Sequence, residues 1–164
     1  MHIPVYILII VSLSFISCTS KDETPNDNAR EPVTINPDYD AALAAKLKAD
    51  DYGMSRYVMA LLKAGPNRDQ DSTTAAELQK AHLKNIRRLA KENKLVLAGP
   101  FLDDGEIRGI YIFNVTSLEE AQKLTGTDPA IKAGRLEMEL HPWYGSAALK
   151  KVNEIHKSIE KKKF

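Results

Sequence analysis

Three histidines fall in the part of the chain that reads as a folded domain: His82, His141 and His156. His82 is the one placed for chemistry. Leu78, His82, Ile86 and Leu89 recur at helical spacing, with Leu83 and Ala90 at the margin, so His82 sits on the apolar stripe that a helix turns toward a sheet. An imidazole so placed can take or give a proton near neutral pH. It can equally be a core histidine satisfied by a backbone carbonyl. Asp128 precedes Pro129 and reads as a helix N-cap with proline in the first helical position. A carboxylate has lone pairs enough to cap a helix and also to orient an imidazole. The chain contains no Gly-rich phosphate loop, no serine nucleophile elbow and no His-x-x-x-His zinc helix.

The elements that must position these residues are legible from periodicity. Residues 40–49 read as a short Ala-rich helix, and 57–62 as a strand apolar on both faces. After a turn at 65–69, Thr74-Ala75-Ala76-Glu77 has the form of a capping box, and the helix it opens carries His82 and ends near Asn93. Leu95 to Ala98 is a second strand, closed by Gly99-Pro100. Asp103-Asp104-Gly105 is a hairpin turn, and Ile107 to Val115 a third strand. Ser117-Leu118-Glu119-Glu120 is another capping box, and Gly134 stops the helix begun at Asp128-Pro129. Leu136, Met138 and Leu140 alternate with Glu137, Glu139 and His141 in a half-exposed strand. Ala148, Val152, Ile155 and Ile159 recur at helical spacing in a Lys-rich final helix. The order β-α-β-β-α-β with terminal helices predicts an α+β, ferredoxin-like fold. Helices cover one face of its sheet, yet the first three strands read apolar on both. A homodimer packed sheet to sheet is therefore expected.

Of 164 residues, 23 are Lys or Arg and 22 Asp or Glu, a balance that argues against a nucleic-acid partner. The single cysteine excludes a disulfide framework and any Cys-rich metal site. That cysteine, Cys18, follows an apolar run from Val5 to Ile16 that is too short for a permanent bilayer span of ~20 residues. A small residue and then cysteine directly after such a run resembles the lipobox of a bacterial lipoprotein. The resemblance implies a signal peptide over residues 1–17 and lipid attached to Cys18, holding the protein at the cell envelope. It departs from the usual pattern in having no Lys or Arg before the run. Residues 18–37, with Pro25, Pro32 and Pro37 and few large apolar side chains, read as a flexible tether. Lys21-Asp22-Glu23 in it resembles the surface-export signal of Bacteroidetes lipoproteins.

Ala81-His82-Leu83, Leu97-Ala98-Gly99-Pro100-Phe101, Asp103-Asp104-Gly105, Arg108-Gly109, Thr127-Asp128-Pro129-Ala130 and His141-Pro142-Trp143 occur in this order. Together they resemble the YCII-related (YciI-like) family. The domain so delimited is 53–146, after a short helix in 38–52 and before a basic amphipathic helix in 147–164. The resemblance implies a dimeric α+β barrel and a His-Asp dyad, here His82 and Asp128. A dehydrochlorinase-type member and the similarly folded muconolactone isomerases suggest proton abstraction from a small cyclic acid. His82 would then move the proton while Asp128 holds its tautomer. Arg68, Arg108 and Lys63 are candidate partners for a substrate carboxylate, and Phe101 and Trp143 candidate pocket walls. The expectation is a cofactor-free lyase or isomerase on a small organic acid. The alternative is a non-catalytic lipoprotein module binding a small ligand or a partner protein. Haem or metal chemistry is discouraged, since no second ligand is spaced to help His82.

Overall fold

The computed structural model describes residues 36–162; the apolar run, Cys18 and nearly all of the tether lie outside the described residues. The elements run α1 (Ala41–Leu47), β1 (Met54–Ala64), α2 (Ser72–Lys91), β2 (Leu95–Pro100), β3 (Ile107–Phe113), α3 (Leu118–Thr125), α4 (Pro129–Lys132), β4 (Leu136–Ser146), a 3₁₀ turn (Ala147–Lys151) and α5 (Val152–Ile159). The four strands form one antiparallel sheet in the order β2-β3-β1-β4. That is the ferredoxin-like arrangement expected from the order of elements.

The two-faced character of the strands is resolved by alternation about the sheet. Val58, Ala60 and Leu62 of β1 and Tyr111 and Phe113 of β3 share one side with Leu89 of α2 and Ala121 of α3, and form the main core. The opposite side holds Tyr57, Ile112 and Val96, with Met59, Leu97, Trp143 and Leu149 packed on them. The β2–β3 register slips between Leu95 and Leu97, and both Val96 and Leu97 then belong to this second cluster. Gly109 permits the close approach of β2 and β3, because a Cβ there would lie 2.6 Å from the Gly99 carbonyl oxygen. Gly134, at φ +66°, ends the α4 segment as expected.

Two expectations are corrected. First, α2 does not open on Thr74. It starts at Ser72 with Asp71 as N-cap, whose Oδ1 accepts from the Thr73 and Thr74 amides at 2.9 and 3.0 Å. A carboxylate at the positive end of a helix is a stronger acceptor than a neutral hydroxyl. The Thr74 hydroxyl instead donates to Asp71 Oδ2 at 2.7 Å. Ser117, by contrast, does cap α3, accepting from the Glu120 amide at 3.1 Å. Second, the sheet face away from α2 is not left wholly to another molecule. Leu149 packs on it from the 3₁₀ turn, and Asn153 Nδ2 of α5 donates to the Leu95 carbonyl at 2.7 Å. Met59, Leu61 and Ile110 remain half-buried on that face. The far end of α5 is bare, with Ile155 56% and Ile159 72% exposed.

Replacing Asp71 with alanine should lower the urea midpoint, because two amides of the first turn lose their acceptor. Thr74→Ala, which leaves both amide bonds in place, should cost clearly less. Urea unfolding of the two variants measures this, and the reverse order would return the cap to Thr74.

Candidate active site

The local sequence explains why His82 and Asp128 meet. His82 lies on the buried stripe of α2, one helical turn from Leu78 and Ile86, and is only 7% exposed. Asp128 follows α3 at a turn held by the Thr127 amide on the Leu124 carbonyl and by its own amide on the Thr125 carbonyl. Its carboxylate is fully buried, and both oxygens are engaged. Oδ1 accepts from the Ala130 amide at 2.9 Å and so caps α4. Oδ2 accepts from His82 Nδ1 at 2.7 Å. The helix cap and the imidazole partner are therefore one group.

The network assigns the tautomer of the ring. With the Nδ1 proton given to the carboxylate, Nε2 presents its lone pair to Tyr111 of β3, whose hydroxyl donates to it at 3.3 Å. The two rings stack with centroids 6.1 Å apart, and Phe113 meets the edge of Tyr111 at 5.7 Å. Burial, and then the charge of Asp128, pushes the Tyr111 phenol far above its ordinary range, so it stays a donor. Burial pushes Asp128 upward, but the His82 hydrogen bond and charge, the Ala130 amide and Asn85 together outweigh it. The carboxyl is held below its usual range, so it is ionised.

Sequence reasoning missed Tyr111 and the layer behind the dyad. Asn85, three residues along α2 from His82, is buried; its Oδ1 accepts from Arg88 Nη2 at 2.8 Å and from the Thr127 hydroxyl at 3.2 Å. Its Nδ2 is buried with no hydrogen bond of full length. Arg88 Nη2 also reaches the Thr127 hydroxyl at 2.9 Å, and Arg88 Nη1 pairs with Glu92. Arg88 thus ties α2 to the turn that presents Asp128. The spacing 82, 85, 88 was visible in the sequence, but polar residues there read equally well as a solvated edge.

The other candidate site residues are not brought to the dyad. Lys63 pairs with Glu139 at 2.6 Å and Glu106 at 3.6 Å. Arg108 donates to the Gly105 carbonyl at 3.2 Å and steadies the hairpin that carries the exposed Phe101. Trp143 packs against Tyr57, with centroids 5.8 Å apart. Strand alternation puts Lys63 and Trp143 on the sheet face away from α2, and Arg108 sits at the slip in the β1–β3 register. Arg68 spans a loop to the Arg135 carbonyl at 3.2 Å. The sheet lies between the His82 side and both Lys63 and Trp143. His141 meets Glu139 at 2.9 Å on the exposed side of β4. Among the described residues no three His, Cys, Asp or Glu side chains gather as a metal site requires.

Two cavities flank the sheet. One of about 330 Å³ lies among α3, α4 and the start of β4, lined by Thr125, Ile131 and Leu136 among others. A cleft of about 1340 Å³ lies between α1, the ends of β1 and β4, and the C-terminal segment. Neither is lined by His82 or Asp128.

A family model described as the YCII-related domain matches residues 56–144. Over 62 residues the chain is 34% identical to the uncharacterized protein YjpA of Bacillus subtilis (strain 168), covering 38% of this chain and 71% of that one. Among solved structures, it is similar to 5-chloro-2-hydroxyhydroquinone dehydrochlorinase (TftG) from Burkholderia phenoliruptrix AC1100, in complex with 2,5-dihydroxybenzoquinone. That likeness has 20% identity and a TM-score of 0.39, over 52% of this chain and 92% of the other.

The lowered pKa of Asp128 fixes a pH dependence. A carboxyl whose folded value lies below its unfolded value stabilises the fold fully above the unfolded value, and loses that contribution as pH falls through the folded one. Stability should therefore decline more steeply below about pH 4 in the parent than in Asp128→Asn. At neutral pH the variant should be less stable by about 1–3 kcal/mol. Urea unfolding across pH measures both, and parallel acid limbs would mean that the pair does not hold the carboxylate.

Proposed function

The chain belongs to the YCII-related domain family, and from that premise we propose that it is a cofactor-free lyase or isomerase acting on a small organic acid by proton transfer through His82. One observation carries the reading: a 2.7 Å hydrogen bond joins His82 Nδ1 to a carboxylate that is fully buried and ionised. Nε2 is then the basic atom. It takes a proton from a carbon next to the substrate's carboxyl or carbonyl group, and Asp128 stabilises the imidazolium that forms. The Tyr111 hydroxyl, kept protonated, leaves Nε2 and donates to the oxygen on which negative charge develops. Its 3.3 Å bond to Nε2 is longer than an ordinary hydrogen bond of this type and yields readily. The proton returns to a different carbon in an isomerisation. In a lyase reaction the electron pair expels a leaving group instead.

The setting proposed for this chemistry is the bacterial cell envelope, through lipid on Cys18. The apolar run at 5–16 directly before the only cysteine supports it. A homodimer through the sheet face away from α2 is proposed with it, supported by the half-buried Met59, Leu61 and Ile110. A second reading, a non-catalytic binding module, is favoured by the 7% exposure of His82 and by the engagement of both Asp128 oxygens.

Deuterium wash-in separates the two readings without knowledge of the product. In D₂O, the parent should exchange the α-hydrogens of one or more small cyclic carboxylic acids, followed by NMR. His82→Gln should slow that exchange by about 10²-fold or more. Absence of exchange across the set would leave the binding module. Separately, a clickable fatty acid should label the full chain in a bacterial host and not Cys18→Ser. Equal labelling would remove the lipid anchor.

A further inference from the structure

The large cleft lies on the opposite side of the sheet from the dyad, and the family domain and its flanking segments build it together. The match over residues 56–144 contributes Arg56, Tyr57 and Trp143 among others, whereas the end of α1, the first two residues of β1 and the segment Lys150 to Glu154 lie outside it.

Its lining carries more positive than negative charge: Lys46, Lys48, Arg56, Lys150 and Lys151 against Asp50 and Glu154. Lys151 pairs with Glu154 at 2.5 Å, and Lys46 also acts on Glu154. Asp50 accepts from the Tyr52 and Met54 amides and from the Tyr144 hydroxyl, which hold it ionised. Lys48, Arg56 and Lys150 remain, and among the described residues none has a carboxylate within ion-pair distance. Lys150 donates to the Leu47 carbonyl at 2.6 Å and to the Ser55 hydroxyl at 2.7 Å, which holds α1 against β1. Burial, and then the nearby Lys48, pulls its ammonium below the ordinary lysine range, as expected where like charges crowd without a counter-ion. Aromatic rings line the same cleft. Tyr57 and Trp143 form a tilted pair, and Lys150 stands 5.5 Å over the Tyr57 ring.

We propose that this cleft is a ligand site for a phosphate monoester carried on a flat ring. Its three cations without a carboxylate partner come from Lys48, just past the end of α1, from Arg56 of β1 and from Lys150 of the 3₁₀ turn. That excess of positive charge suits a dianionic group with three acceptor oxygens better than a single carboxylate. The half-buried Trp143 and the exposed Tyr144 supply the surface on which a flat ring is buried, with the buried Tyr57 backing Trp143. The site does not rest on the dyad, from which the sheet separates it.

Trp143 is the only tryptophan and lines this cleft, so its emission responds to a ligand there, and calorimetry separates such binding from a change in association of the chain. The full chain is titrated with phenyl phosphate, inorganic phosphate, glycerol phosphate and benzoate, by fluorescence and by calorimetry. Phenyl phosphate should bind saturably and at least tenfold more tightly than the other three. Lys48→Gln with Arg56→Gln, both exposed positions that leave the Lys150 bonds intact, should weaken it at least tenfold without moving the unfolding midpoint. Equal affinity for glycerol phosphate would make the cleft a patch for charge alone, of the kind that meets lipid headgroups, and would overturn the proposal. Equal affinity for benzoate would overturn it as well. So would indifference of phenyl phosphate binding to the double variant, or the absence of saturable binding by both methods.

Discussion

A carboxylate cut off from water must be met by donors, and much of the helix layer answers that demand at Asp128. One oxygen is taken by the first turn of α4, the other by the imidazole of α2, and Asn85 adds to the same field. The Arg88 and Thr127 contacts then hold α2 and the α3–α4 turn at one separation. Were either helix to shift, a buried charge would lose a partner. That is among the larger penalties available to a folded chain. The pair thus sets the tautomer of His82 and the docking of α2 by a single interaction, so a test of its chemistry is also a test of the packing.

Much of this was legible in the residues. Asp128-Pro129 read as a cap because proline fixes the first helical position, and Ser117 read as a cap because Ser117 to Glu120 has the form of a capping box, and its hydroxyl does accept from the Glu120 amide. The strand order follows from short connections, which leave few topologies open. Asp71 was hidden by Thr74, three residues on, since both types cap helices and only the backbone decides which of them leaves the helix. Tyr111 was hidden because a strand apolar on both faces does not say which neighbour an aromatic hydroxyl meets. The cations Lys63, Arg68 and Arg108 could be placed on elements but not given partners. Ion pairs such as Lys63–Glu139 depend on strand register, which periodicity alone leaves open.

The sheet divides the molecule into two unlike sides. On one, helices bury an ionised carboxylate and its imidazole partner beneath a hydrogen-bonded layer. On the other, a shorter cover of 3₁₀ turn and α5 leaves Lys150 over the Tyr57 ring and part of the apolar face uncovered. The excess of lysines toward the C-terminus gains a local meaning in this way. Lys150 secures the last carbonyls of α1, a position where a cation also suits the helix dipole.

The pairing of β1 with β4 joins Met54 to Ser146 and Ala64 to Leu136, whereas β2 and β3 are joined by a short hairpin. Closing the first pair costs far more chain entropy than closing the second. The hairpin is therefore the entropically cheaper contact of the two. Much of the cleft stands at the end of the β1–β4 ladder where Met54 meets Ser146. Its shape consequently depends on the costlier pairing, and closing the hairpin alone does not create it.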